Sequence, residues 1–430
     1  MTSKSAPHRR IGVWAEWPPN LPWANEGMVR LLGFLVEGAA AAGAFSFYVV
    51  VPHHLAAEAR RDFAELKAIE GRDYQICAPE SPPEQNCSDG DLMEDLVDFA
   101  NTSVSVDGWL ILFPHFGYSV RLNGPKAVIF PDSIPRIFPH FAEDTWGQGG
   151  YHHALIEKVR SVLSESDRVV VFSRHVALKQ ARDLFNVPEN KIAIVPHSLP
   201  NLADDGFGDR YAAPTRASRT VAADLLRAHA HAAGLKYLAN FPFEDVPFLV
   251  VSTQDRANKN ISVVARALEL CLRGHDRDLK LITTAPIHFG ADWTPFPGII
   301  SERQLQNDIL SMHALPRDVH AALYHCSLMA VHPSFFEGGR APFPFSEAVS
   351  VGAPCLMAAG PHTHELLELA PELLPYVFDP YDHTTLAQLI LLTADRRNEV
   401  LAEQVVVCRR LAEHRTWSDV SSEYVAAVPH

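Results

Sequence analysis

A chain of 430 residues exceeds what one compact core supports and suits two or three domains of ordinary size. With 47% apolar and 20% charged residues, it is excluded from the disordered, collagen-like and coiled-coil classes. Lys and Arg number 37 against 51 Asp and Glu, a net charge of −14 with no basic patch beyond Arg9-Arg10, so nucleic acid is excluded as a partner and any anionic ligand must be held by a few placed cations.

Met1 to Arg10 carries no apolar signal core and runs directly into Ile11-Gly12-Val13-Trp14. The longest apolar-rich stretch, residues 33–51, is broken by Glu37 and reads as a helix end, a turn and a buried strand. The six cysteines (Cys77, Cys87, Cys271, Cys326, Cys355, Cys408) show no Cys-x-x-Cys and no zinc spacing, as expected of reduced, buried thiols. These features predict a cytoplasmic protein, with at most peripheral contact at the inner face of a membrane.

Strand-length apolar runs occupy 11–15, 45–51, 109–113, 127–130, 169–173 and 192–196, with amphipathic helical periods at 28–42, 55–70, 151–163 and 176–185 between them. The alternation then stops. Residues 200–245 hold Gly, Asp, Ala and His-rich sequence, with one helix predicted over 222–238. From 248 the pattern resumes, with strands at 248–253, 279–284, 328–331, 355–358 and 376–378. Helices are predicted at 262–272, 318–324, 346–351 and 384–393. Near-continuous apolar strands separated by helices indicate parallel sheets covered on both faces. Two doubly wound α/β halves are therefore expected, and such sheets bind ligands at the carboxyl ends of their strands.

Two constellations stand at predicted strand ends. The first is Val331-His332-Pro333-Ser334-Phe335-Phe336-Glu337-Gly338-Gly339-Arg340, followed by Ser346-Glu347-Ala348 and Gly352-Ala353-Pro354. The glycines let backbone amides approach a ligand, and a helix predicted to start near Ser346 would offer its N-terminus to an anion. Glu337 and Glu347 supply acceptors suited to sugar hydroxyls. The second is Gln254-Asp255-Arg256-Ala257-Asn258-Lys259-Asn260, where Arg256 and Lys259 precede a helix and can neutralise a diphosphate.

Together the two segments resemble retaining glycosyltransferases of family 4, which share the two-domain GT-B fold. The likeness rests on Lys259-Asn260, Pro333-Ser334, Glu337-Gly338, Glu347-Ala348 and Gly352-Ala353-Pro354, with Thr416-Trp417 resembling the start of the family's last helix. It implies two Rossmann-like domains facing across a cleft: residues 1–200 on the acceptor side, a linker with a helical insertion at 201–246, a nucleotide-sugar domain at 247–412, and a helix at 413–430 crossing back. It also implies transfer of a sugar from a UDP- or GDP-sugar to a carbohydrate or lipid-linked acceptor, with retained anomeric configuration, in bacterial surface polysaccharide or glycoconjugate synthesis. By the same resemblance Arg256 and Lys259 hold the donor diphosphate, Glu337 contacts the transferred sugar, and Glu347 holds the ribose. Ser334, Gly338, Gly339, Arg340 and Ser346 line the donor.

The first half matches the family less closely. Glu26-Gly27 stands where the family has a glycine-rich loop, placing Gly27 at the donor. Phe130-Pro131-Asp132 matches a His-Asp segment with Pro131 in place of the His, leaving Asp132 as a donor contact and His115 as the candidate replacement. Nine residues separate Glu337 from Glu347 where the family has seven. The alternatives on the same fold are a sugar phosphorylase, an epimerase, or a non-catalytic nucleotide-sugar-binding subunit. No metal is expected, since neither His229 and His231 nor His362, His364 and Glu365 show ligand spacing. No Gly-x-Ser-x-Gly elbow supports a serine triad.

Overall fold

The computed structural model describes residues 8–19, 23, 26–80, 89–138, 151–203, 209–288 and 294–430. These form two compact units. The first gathers the described parts of Met1–Ile137, Gln148–Ser198 and Arg415–His430, the second those of Phe138–Gly147 and Leu199–His414.

The first unit is built on seven strands: β1 (Arg9–Trp14), β2 (Phe45–Val50), β3 (Tyr74–Cys77), β4 (Gly108–Ile111), β5 (Lys126–Ile129), β6 (Arg168–Val171) and β7 (Ile192–Ile194). They pair in the order β3-β2-β1-β4-β5-β6-β7, and every pairing is parallel. Both faces are covered, so Ile11, Val13, Phe47, Val49, Leu110, Val128 and Val170 are fully buried, as their unbroken apolar runs predict. The chain winds outward from β1 to β3 and then returns to β4, which puts the switch point between β1 and β4. The Trp417–Ala427 helix belongs to this unit. Thr416 caps it, its hydroxyl accepting from the Asp419 amide while the Asp419 carboxylate accepts from the Thr416 amide. Trp417 stacks on Phe34 with ring centres 4.5 Å apart, and the Arg9 guanidinium donates to the Val425 and Val428 carbonyls at 3.0 Å each.

The second unit carries β8 (Phe248–Val251), β9 (Lys280–Thr283), β10 (Ile309–Ser311), β11 (Met329–His332), β12 (Cys355–Ala358) and β13 (Val377–Phe378). Their order is β10-β9-β8-β11-β12-β13, again wholly parallel, with the switch between β8 and β11. Residues 201–246, expected as a linker, put part of their length into this unit's core: the Arg216–Ala232 helix buries Ala222, Ala223, Leu226 and Ala230 there. That helix begins six residues before the predicted 222. Thr215 and Ser218 form a reciprocal cap at its start.

Two strands carry no clear sequence signal, β3 (Tyr-Gln-Ile-Cys) and β10 (Ile-Leu-Ser). Both lie at sheet edges, where a short strand needs no unbroken apolar run. Cys271, Cys326, Cys355 and Cys408 are free and buried, Cys77 is free and half-buried, and Cys87 lies outside the described residues. Among the described residues no helix is long and apolar enough to cross a membrane.

Candidate functional site

In the second unit the predicted residues gather at the carboxyl ends of β8 and β11. After β8 the chain makes a tight turn over Ala257–Lys259, and Asn260 then enters the left-handed region (φ 49°, ψ 38°), which Asn tolerates better than most side chains. Its amide group donates to the Pro380 carbonyl at 2.8 Å, fixing the start of the Ile261–Glu269 helix. Asn258 ties this turn to the loop after β11: its carbonyl accepts from the Phe335 amide at 2.9 Å, and its side chain donates to the Phe336 carbonyl at 3.3 Å. This backbone staple delivers Lys259 to Glu337.

Lys259 Nζ donates to Glu337 Oε1 at 2.7 Å, with the two side chains only 18% and 22% exposed. A charge pair this covered costs desolvation at both ends and persists only with close geometry. Burial opposes the Glu337 charge, but Lys259 chiefly, with His332 and His362, outweighs it and holds the carboxyl down to about 2. Near neutral pH this is a fixed carboxylate beside the Lys259 amine group. One can accept hydroxyl hydrogen bonds and the other can meet an anion.

Sequence reasoning assigned no role to the two imidazoles beside this pair. His332 ends β11, and its Nε2 lies 3.4 Å from Glu337 Oε1. His362 is the second residue of the Pro361–Leu369 helix, edge-on to His332 with ring centres 5.7 Å apart. Gly360 permits this approach, because a Cβ there would lie 2.8 Å from both the His362 ring and the Phe335 carbonyl. Burial pushes His332 down to about 4 and His362 down to about 3, so both rings are neutral at physiological pH. The available signals were His332 at the strand end immediately before Pro333-Ser334, and His362 at a helix start.

The expected helix start near Ser346 is corrected. The helix runs Phe343–Ser350, because Pro342 and Pro344 stand at the cap and in the first turn, where a missing N–H costs nothing. Ser346 and Glu347 therefore enter the second turn, buried at 2% and 1% exposure, and Ser346 offers no free helix-terminal amide. The helix stops as predicted at Gly352, whose φ of 89° and close approach to the Ala212 carbonyl admit no side chain. Ser334 is fully buried with its hydroxyl unpartnered, Gly338 is buried, and Gly339 and Arg340 are half-buried. Arg256 sits in extended backbone just before the Lys259 turn.

The remaining predicted residues belong to the first unit. Gly27 is exposed as the first residue of the Gly27–Ala42 helix. Asp132 accepts from the Ile134 amide at 3.0 Å, shaping the turn after β5. His115 follows β4, packed between Phe113 and Phe116 with ring centres at 4.8 and 5.1 Å, and burial holds it neutral, down to about 4. Near it lies a carboxyl that sequence reasoning missed. Glu16, just past β1 and 8% exposed, accepts from Trp14 Nε1 at 3.1 Å and from the Tyr118 amide at 2.9 Å, yet burial raises it to about 7. The signal would have been an acid between Trp14 and Trp17 at the end of the first strand. Among the described residues no group of three or more His, Cys, Asp or Glu is arranged to hold a metal.

No protein-family model matches the chain, and no curated protein matches it. Solved structures do. Sucrose-phosphate synthase from Thermosynechococcus elongatus is 15% identical over 97% of this chain and 98% of that chain, with a TM-score of 0.63. HepE of Anabaena, in complex with UDP-glucose, is 12% identical over 97% of this chain and 99% of its own, at a TM-score of 0.61. A glycosyltransferase from Rickettsia africae is 14% identical over 97% of both chains, at 0.57. The chain has the two-sheet α/β fold of these proteins, the GT-B fold.

Proposed function

We propose that the protein is a glycosyltransferase that takes a sugar from a UDP- or GDP-sugar to a carbohydrate or lipid-linked acceptor, retaining the anomeric configuration. The observation that carries this reading is the Lys259–Glu337 pair, 2.7 Å apart at the ligand-binding edge of a doubly wound sheet. A similar fold solved with UDP-glucose supports the donor class.

Lys259 and Arg256 would meet the diphosphate, Glu337 the transferred sugar and Glu347 the ribose. The bond to break is that between the anomeric carbon and the diphosphate oxygen, so negative charge grows on the leaving group. Cations preorganised at that oxygen lower the barrier, and Lys259 is held for this by the Asn258 staple. In this reading the acceptor hydroxyl attacks from the face the diphosphate leaves, and a phosphate oxygen takes its proton.

The test is a thermal-shift panel of UDP- and GDP-sugars, followed by NMR of the product's anomeric proton. A donor bound by the native state alone raises the midpoint, by an amount that grows with the logarithm of its concentration over Kd. No stabilisation by any nucleotide sugar would defeat the donor assignment, and an inverted product would defeat retention.

A further inference from the structure

Four described side chains of the second unit end on one another from four separate elements: Lys259, Glu337, His332 and His362. The imidazoles are conspicuous for what they lack. His332 Nε2 and both ring nitrogens of His362 are buried without a hydrogen-bond partner, although the rings are only 3% and 0% exposed. A buried polar atom left unbonded costs free energy, and here there are three such atoms on two adjoining rings, one of them 3.4 Å from the Glu337 carboxylate.

The charges around these rings are unevenly balanced. Lys259 works against protonation of both, whereas Glu337 favours it on both and Glu347 favours it on His332. The largest opposing influence at His362 among these charges is His332 itself, with His364, on the same helix as His362, adding to it, so only one of the two rings can readily carry a proton. An arriving diphosphate would bring two negative charges and compete with Glu337 for the Lys259 ammonium. Glu337 would then be a buried carboxylate stripped of its cation, which is the costly half of a broken ion pair.

We propose that His332 and His362 are positioning residues for Glu337, one of them taking a proton from solvent and holding the carboxylate when a diphosphate draws Lys259 away. This rests on the reading that the second unit binds a nucleotide sugar. One N–H bond forms on an imidazole, the proton comes from water or buffer, and no electrons move. Donor binding is thereby linked to proton uptake.

Titration calorimetry with UDP-glucose and GDP-mannose, run at pH 7 in buffers of differing ionisation enthalpy, counts that proton. The diphosphate of a nucleotide sugar does not itself titrate there. The wild type should take up about half a proton or more on binding. His362→Gln and His332→Gln keep a donor but cannot titrate, and at least one should lose most of the uptake. A purely structural role would change affinity and leave the proton count intact. Buffer-independent enthalpies in the wild type, or unaltered uptake in both variants, overturn the proposal. If neither nucleotide sugar binds, the donor panel decides the functional reading, and a ligand-free arm decides this one. In Lys259→Met, checked for native circular dichroism, one of the two imidazoles should titrate by NMR between pH 5 and 8, where neither does in the wild type. Absence of that titration in the variant overturns the proposal without any ligand.

Discussion

Glu16 and Glu337 each follow a central strand of a parallel sheet, β1 in one unit and β11 in the other, and burial penalises the charge on both. They end at opposite extremes, Glu16 raised to about 7 and Glu337 lowered to about 2. The difference lies in their partners. Glu16 is held by neutral donors alone, the Trp14 indole N–H and backbone amides at Tyr118 and Gly117, with Lys158 acting only at longer range. Glu337 is held by an ammonium at 2.7 Å. Hydrogen bonds from neutral groups do not offset the loss of water around a carboxylate, whereas one close cation does. The same side chain is thus a group poised to exchange a proton in one unit and a fixed charge in the other.

The strongest way to break this contrast is Lys259→Ala. Without its cation the cluster around Glu337 should take up a proton that the wild type excludes near neutral pH, carried by one of the facing imidazoles while the carboxyl stays ionised, which NMR of the rings and of the carboxyl carbon would follow. Under the proposed function the leaving diphosphate also loses its nearest charge, so turnover with the best donor should fall by about a hundredfold or more. Near-normal turnover in a folded variant would remove Lys259 from the site.

Glu16→Gln sharpens the contrast from the other side. Folded Glu16 holds its proton to about pH 7, while an unfolded glutamate releases it near 4.5. The stability this lends is complete below pH 4.5 and disappears as pH rises to 7. Gln keeps an acceptor for Trp14 and Tyr118 but cannot ionise. Relative to the variant, the wild type should therefore lose about 3 kcal/mol of stability between pH 5 and pH 8, read by urea denaturation. Parallel pH profiles for the two proteins would show Glu16 to be charged in the fold.

The sheets were legible because strands covered on both faces must be apolar throughout, as in Phe248-Leu249-Val250-Val251. Lys259 and Glu337 were legible because cations and carboxylates at strand ends carry their chemistry in their identity. The Phe343–Ser350 helix start was misplaced because proline marks both loops and first turns, and only the backbone distinguishes them. Glu16, His332 and His362 carried little signal because their character comes from burial. An acid after a strand reads the same whether water or the Trp14 indole and the Tyr118 amide surround it, and the pairing of β1 with β4 brings those groups together across a hundred residues of chain.

The smallest expected effect separates burial from charge most cleanly. Lys158 is exposed on the Tyr151–Glu165 helix, its stem lying against Gly117, and its ammonium lowers both Glu16 and His115. Lys158→Met removes that charge and keeps most of the apolar stem. Both titrations should then rise by a few tenths of a pH unit, a size fitting an exposed, salt-screened charge. The shared direction has opposite meanings. Glu16 moves further from an ordinary carboxyl, because the charge was opposing its burial. His115 moves back toward an ordinary imidazole, because the charge was assisting it. NMR titration of both groups at low and high salt reads the two shifts, and a rise in only one would place Lys158 beside that group alone.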